Sequence, residues 1–134
     1  ICDFKNNFGN KKYVILIVGG SQGAKGLNSL VTNWFNKCQL DECTIIHQTG
    51  TDNHARHFYK SKKINGHTYE FIENLKPFYQ IADLVICRAG AGAIAEGLWS
   101  KAQIVLVPLQ GAAENHQLEN ARAANRRVVI RVFQ

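Results

Sequence analysis

Tyr13-Val14-Ile15-Leu16-Ile17-Val18-Gly19-Gly20-Ser21-Gln22-Gly23-Ala24 joins a run of strand-forming residues to a glycine-rich turn. From Val14 to Val18 every position is apolar. A strand with one wet face alternates apolar and polar residues, so an unbroken apolar run must be covered on both faces. Past the turn, Leu27, Leu30, Val31, Trp34 and Phe35 recur at three- and four-residue spacing, which makes one buried stripe and predicts a helix from Ala24 to Lys37. The same grammar returns downstream. Leu84 to Cys87 is apolar, Arg88-Ala89-Gly90-Ala91-Gly92-Ala93 is a second glycine-rich turn, and a helix is expected from Ala91 to Ser100.

The alternation persists along the chain. Strands are predicted at Tyr13 to Val18, Thr44 to Gln48, Thr68 to Ile72, Leu84 to Cys87, Ile104 to Val107 and Val128 to Val132. Further helices are predicted at Asp52 to Lys62, Leu75 to Ile81 and Ala113 to Asn125. Repeated βα units with strands buried on both faces specify an α/β fold, a doubly wound, Rossmann-like parallel sheet of about six strands. Residues 1–12 read as a polar linker and residues 13–134 as one domain. The final predicted strand has no covering helix after it, so the domain is expected to be truncated at both ends, one lobe of a longer protein.

Composition sets outer bounds. The chain has 134 residues, 46% of them hydrophobic and 10% aromatic, enough for a packed core. No apolar run approaches the roughly 20 residues that span a bilayer, and the polar start lacks the shape of a signal peptide. A net charge of +6 favours anionic partners. Its carriers are scattered, as Lys11-Lys12, Lys60 with Lys62-Lys63, and Arg126-Arg127 with Arg131, without interleaved aromatics, so a solvated surface is expected rather than nucleic-acid binding. Peripheral contact with an anionic membrane stays open. Cys2, Cys38, Cys43 and Cys87 form no CxxC pair, which fits reduced thiols in a cytosolic compartment. Cys43 and His47 would share one face of a strand, but with Cys38 they lack a fourth ligand at a recognisable spacing, and no metal is expected.

The two turns carry the chemistry. Absent side chains let main-chain N–H groups approach a phosphate, and the positive end of the following helix adds neutralising charge. Gly19, Gly20, Gln22 and Gly23 serve this role in the first turn, Arg88 and Gly90 in the second. Gly90 to Ala95 formally satisfies the dinucleotide pattern G-x-G-x-x-A, which admits a nicotinamide-dependent oxidoreductase. That pattern normally follows the first strand, with an acid closing the next. Here it follows the fourth, and the nearest such acid, Glu114, lies beyond Pro108. Glu96 instead shares a helix face with Gly92 and Ala93, where a carboxylate could accept hydrogen bonds from a ribose diol or simply sit exposed at a helix dipole. His116, Gln117 and Asn120 stand at i, i+3 and i+4 spacings that suit sugar hydroxyls or, equally, a capped surface helix.

Taken together these segments strongly resemble the carboxyl-terminal lobe of the MurG family, glycosyltransferases that move N-acetylglucosamine from UDP onto lipid I in peptidoglycan synthesis. The phrases ILIVGGSQGAKGLN from Ile15, HQTG from His47, Phe71-Ile72, IADLVICRAGAGAIAE from Ile81 and NHQLENA from Asn115 occur in the family's order. The resemblance implies one lobe of a GT-B enzyme. Ser21 would contact donor phosphate or sugar, the main chain of Ile72 would read uracil, and Ala91, Gly92 and Ala93, continuing into Ile94 and Ala95, would face the diphosphate. Glu96 would bind ribose, and His116 with Gln117 would hold N-acetylglucosamine. Two departures stand out: the hydroxyl residue usual at position 93 is Ala93, and a Gly-Ala-Ala expected near Asn125 to Arg127 is missing.

The resemblance further implies UDP-N-acetylglucosamine as donor and a lipid-linked acceptor bound by an amino-terminal lobe absent from this chain, which is then inactive alone. Transfer is expected to be inverting and metal-independent, since no Asp-x-Asp element occurs and the Gly90 to Ala93 turn can stabilise the departing UDP. The expected location is the cytoplasm or the cytoplasmic face of the inner membrane. A lobe for another UDP-sugar and a non-catalytic nucleotide-sugar module needing a partner chain remain the alternatives.

Overall fold

A strand that is apolar at five successive positions belongs in the middle of a sheet, and that is where β1 (Tyr13–Val18) lies. The computed structural model describes residues 2–19, 24–88, 101–107 and 128–130. In chain order the other elements are α1 (Cys2–Asn6), α2 (Ala24–Phe35), β2 (Cys43–Gln48), α3 (His54–Ser61), β3 (Asn65–Tyr69), α4 (Lys76–Ile81), β4 (Leu84–Arg88), β5 (Gln103–Val107) and β6 (Val128–Ile130). The six strands form one sheet in the order β3-β2-β1-β4-β5-β6, with every neighbouring pair parallel. This is the Rossmann order, in which the chain winds outward from β1 in one direction and then restarts at β4 on its other side.

The pleat distributes the apolar run between two cores. Val14, Leu16 and Val18 join Ile46, Val85, Cys87 and Leu106 beneath α1 and α4. Ile15 and Ile17 join Ile45, Ile86, Leu27, Val31 and Phe35 beneath α2 and α3. Each fully buried aliphatic side chain contributes about 1.5–3 kcal/mol, so the central strand alone supplies a large share of the driving force. Asp83 pins β1 to β4 at the opposite edge. Its carboxylate accepts the Val14 N–H at 2.8 Å, its own N–H donates to the Val14 carbonyl at 2.8 Å, and its carbonyl accepts the Gln103 N–H at 3.1 Å.

Three sequence-based expectations are corrected. Residues 1–12, read as a linker, contain α1, and Phe8 is buried in the core. Phe4 and Phe8 meet edge to face at 5.4 Å, and both contact Phe78 of α4, at 5.0 and 5.9 Å. Phe4 stands on α1 and Phe8 in the turn after it, where the Phe8 N–H bonds to the Lys5 carbonyl at 3.0 Å, and the burial of the two rings outweighs the polar residues between them. The third strand begins at Asn65 and ends at Tyr69, three residues earlier than the run Thr68 to Ile72 predicts. Strand preference is set by partners more than by intrinsic propensity. Here Asn65 pairs with Thr44 in register and through its side-chain amide, which donates to Thr44 Oγ1 at 2.9 Å and to the Phe8 carbonyl at 2.9 Å. Gly66 follows because a Cβ there would stand 2.6 Å from the Tyr59 ring.

The third correction is to helix ends. α2 stops at Phe35 rather than Lys37, where the Lys37 and Cys38 N–H groups bond three residues back and tighten the last turn. α3 begins at His54 rather than Asp52, because Asp52 is used outside the helix as an acceptor for the His54 N–H at 3.0 Å. The predicted helices Ala91 to Ser100 and Ala113 to Asn125 lie outside the described residues, as do residues 131 and 132 of the last predicted strand. Among the described residues no helix is long and apolar enough to cross a membrane.

Since Phe8 is a core side chain, Phe8→Ala is expected to destabilise the fold by about 3–5 kcal/mol in urea denaturation. A loss below about 1 kcal/mol would return residues 1–12 to the status of a tether.

Candidate functional site

In an open parallel sheet the ligand lies beyond the carboxyl ends of the strands, at the point where the strand order reverses. Here that point is the crevice between β1 and β4. Val18 and Cys87 are in register across it. Gly19 follows β1 and is buried, while Arg88, the last residue of β4, is half-buried. The first glycine-rich turn continues from Gly19 and the second from Arg88, so both spring from adjacent strand ends. Gly20, Ser21, Gln22 and Gly23 of the first turn lie outside the described residues. So do Gly90, Ala91, Gly92, Ala93, Ile94, Ala95 and Glu96 of the second, and His116 and Gln117.

Ile72, expected as the end of a strand, sits instead in the loop between β3 and α4. Its side chain is buried with Leu16, Ile46 and Tyr79, whereas its neighbour Phe71 is 63% exposed. The loop is held to the end of β2 by main-chain and side-chain bonds. The Thr49 N–H donates to the Tyr69 carbonyl at 2.8 Å, the Gly50 N–H to the Glu70 carbonyl at 3.0 Å, and the Ile72 N–H to Gln48 Oε1 at 2.9 Å.

The other face of β2 carries a buried polar chain that the sequence reading passed over. His47 is fully buried, its Nδ1 2.7 Å from the Tyr59 hydroxyl and its Nε2 2.7 Å from Asn28 Oδ1. The Asn28 amide nitrogen donates to the Thr49 carbonyl at 2.9 Å and to Asp52 Oδ2 at 3.3 Å. With its nitrogen so engaged, Asn28 turns its oxygen to His47. The Nε2 atom then carries the ring proton and Nδ1 accepts the Tyr59 O–H. Burial pushes the His47 imidazole down from its ordinary 6.5 to about 3, against the opposing pull of Asp52. The His54 N–H holds the Asp52 carboxyl below its usual range. Burial pushes the Tyr59 hydroxyl up, and the Cys87 thiol up to about 12, so neither ionises near neutrality.

This chain ties α2, the end of β2 and α3 together just where the first glycine-rich turn hands over to α2. It employs both ring nitrogens of His47, which removes that residue from a metal site with Cys38 and Cys43. Among the described residues no group of three His, Cys, Asp or Glu could hold a metal ion. A signal was present in the sequence: Asn28 stands within the apolar stripe between Leu27 and Val31, and His47 alternates inward with Ile45. Polar groups at inward positions require partners, and their spacing in sequence conceals which ones they find.

The glycosyltransferase family 28 C-terminal domain matches residues 14–134. Two relatives bear the name UDP-N-acetylglucosamine–N-acetylmuramyl-(pentapeptide) pyrophosphoryl-undecaprenol N-acetylglucosamine transferase. That of Myxococcus xanthus is 34% identical over 123 residues, 89% of this chain and 32% of its own length. That of Tolumonas auensis is 40% identical over 116 residues, 84% of this chain and 32% of its own length. The crystal structure of Acinetobacter baumannii MurG superposes with a TM-score of 0.72 at 31% identity, over 92% of this chain and 39% of that one. The chain thus spans about a third of the length of the relatives it matches.

A neutral buried histidine makes stability depend on pH in a definite direction. Unfolded, His47 takes up a proton as pH falls through about 6.5, while the folded protein resists until about 3. The stabilisation is therefore complete above about 6.5 and is lost on acidification. Between pH 7 and pH 5 this group is expected to remove about 2 kcal/mol. Denaturation in urea across that range checks it against His47→Gln, in which this component of the slope should vanish.

Proposed function

Because the chain belongs to the glycosyltransferase family 28 C-terminal domain family, we propose that it is the donor-binding half of a hexosyltransferase. In this reading it holds UDP-N-acetylglucosamine for transfer to a lipid-linked acceptor, lipid I, in peptidoglycan synthesis. The observation that carries the proposal is the adjacency of the ends of β1 and β4, from which two glycine-rich turns continue at the switch point of the sheet. A diphosphate between two such turns would receive main-chain N–H groups from both sides.

Roles follow for the residues of the site. Ser21 contacts phosphate or sugar, Ala91, Gly92 and Ala93 offer N–H groups to the diphosphate, and Glu96 accepts both ribose hydroxyls. The Ile72 main chain reads the base, and His116 with Gln117 holds the acetylated sugar. With Ala93 lacking a hydroxyl, the phosphate there depends on main-chain donors alone. Negative charge grows on the UDP oxygen as the glycosidic bond breaks. Preorganised N–H groups at a helix start stabilise it without a metal ion. The acceptor and the general base are assigned to a second, amino-terminal lobe of a GT-B enzyme, and the assembled protein to the cytoplasm, with peripheral contact at the membrane that holds its acceptor.

Calorimetry with UDP-N-acetylglucosamine is the direct test, and saturable binding at or below millimolar concentration is expected. No heat from a folded sample, or a response to NADH in its place, would remove the proposal. Glu96→Ala is expected to weaken UDP binding by about 1.5–3 kcal/mol, as for a hydrogen-bonded charged group. Unchanged affinity would take Glu96 out of the site.

A further inference from the structure

Asn28, near the amino end of α2, is fully buried, so it touches no ligand itself. An asparagine side chain offers two amide hydrogens and one accepting oxygen, and here all are taken by groups outside α2. The nitrogen donates to the Thr49 carbonyl at 2.9 Å and to Asp52 Oδ2 at 3.3 Å. The oxygen accepts the His47 Nε2–H at 2.7 Å, and His47 is held in turn by the Tyr59 hydroxyl of α3 at 2.7 Å. The Asn28 main-chain carbonyl receives the Thr32 hydroxyl at 2.9 Å. Through one residue α2 is thus pinned to the last residues of β2 and to the loop that follows them.

The apolar stripe does not supply this precision. Leu27, Val31 and Phe35 seat α2 against Ile15, Ile17 and Ile45, but hydrophobic attraction has no preferred direction, and a helix resting on it alone can slide or roll at small cost. Hydrogen bonds weaken steeply with distance and angle. Three of them from one buried side chain fix α2 both along its axis and about it. The first glycine-rich turn is the segment that this placement constrains. It has only four residues to run from Gly19, buried at the end of β1, to Ala24, where α2 begins. The first N–H groups of a helix have no partner within it and carry the positive end of its dipole, so the placement of α2 decides where they aim. We propose that Asn28, locked by His47, is a positioning residue for phosphate recognition, fixing α2 so that the main-chain N–H groups at its start are aimed at a nucleotide diphosphate. The inference rests on the reading that this chain binds a uridine diphosphate sugar, and adds to it the buried side chain that sets the aim of the helix.

Titration of the chain with UDP and with uridine, followed by amide NMR shifts, tests both layers separately. N28A is expected to weaken UDP at least about tenfold, as the loss of one hydrogen bond to a charged group would. Uridine, which has no phosphate, is expected to bind within about threefold of wild type. V31A serves as the control: it loosens the same helix by a core cavity but leaves every bond of Asn28 in place, and is expected to keep UDP within about threefold. H47F removes the donor to Asn28 and is expected to weaken UDP in the same sense. The double variant N28A/H47F should fall no more than about threefold below N28A, because both substitutions remove one contact. A folded N28A that binds UDP as wild type does overturns the role of Asn28 while leaving uridine nucleotide binding in place. So does an equal loss for UDP and uridine, or a V31A that loses as much UDP affinity as N28A, since either marks a general loosening. Fully multiplying losses in N28A/H47F separate His47 from Asn28 and overturn the pair. Should N28A fail to fold, H47F against V31A decides by the same comparison. A folded wild-type chain that does not bind UDP defeats the underlying reading, and this inference with it.

Discussion

The need to bury both faces of one strand organises this protein. Val14 to Val18 carry no polar side chain, and β1 satisfies that constraint by taking parallel neighbours on both edges and helices on both faces. The neighbours are β2 and β4, reached by winding in opposite directions from the centre. The reversal places the carboxyl ends of β1 and β4 side by side at the switch point of the sheet. The place where a ligand can enter is thus a by-product of how the most apolar strand is covered. It is also where, in the sequence, the two glycine-rich segments begin.

The end of β2 distributes order from this centre to the surrounding loops. Successive residues of a strand face opposite sides, and His47 and Gln48 use that alternation to hold different elements. His47 ties α2 and α3 through Asn28 and Tyr59, and Gln48 ties the β3–α4 loop through the Ile72 N–H. All three bonds are buried, where a lost partner costs more than the bond itself contributes. Such contacts add modestly to net stability and strongly to definition of a single arrangement. Wherever groups must be placed within fractions of an ångström, that definition is what places them.

The family relationship adds identity where geometry offers only capacity. A switch point in a parallel sheet suits many ligands, and a sheet of this order serves dehydrogenases as well as transferases. Agreement across residues 14–134 with the glycosyltransferase family 28 C-terminal domain narrows the capacity to one family. The chain spans about a third of its relatives, so its share of their chemistry is assigned by proposal. What the described residues contribute independently is the scaffold: a neutral histidine that ties α2 to α3, and a β3–α4 loop whose main chain is tied to the end of β2.

Most strands were legible in the sequence because hydrophobic burial acts residue by residue. The unbroken apolar runs at Val14 to Val18 and Leu84 to Cys87 required a doubly covered parallel sheet, whichever partners they found. The stripe through Leu27, Val31 and Phe35 likewise required a helix. At β3 and α1 local preference misled. The placement of Asn65 depends on Thr44 and Phe8, and the burial of Phe8 on Phe78 and His67, all distant in sequence. The polar contacts were hidden for the same reason. Amino-acid identities alone determined which groups had to leave water, since that demand is a property of short segments. Only the folded chain decided that His47 would meet Asn28 and Tyr59 and that Gln48 would take the Ile72 N–H. A hydrogen bond requires two groups within about 3 Å, and that separation exists only after every intervening element has packed.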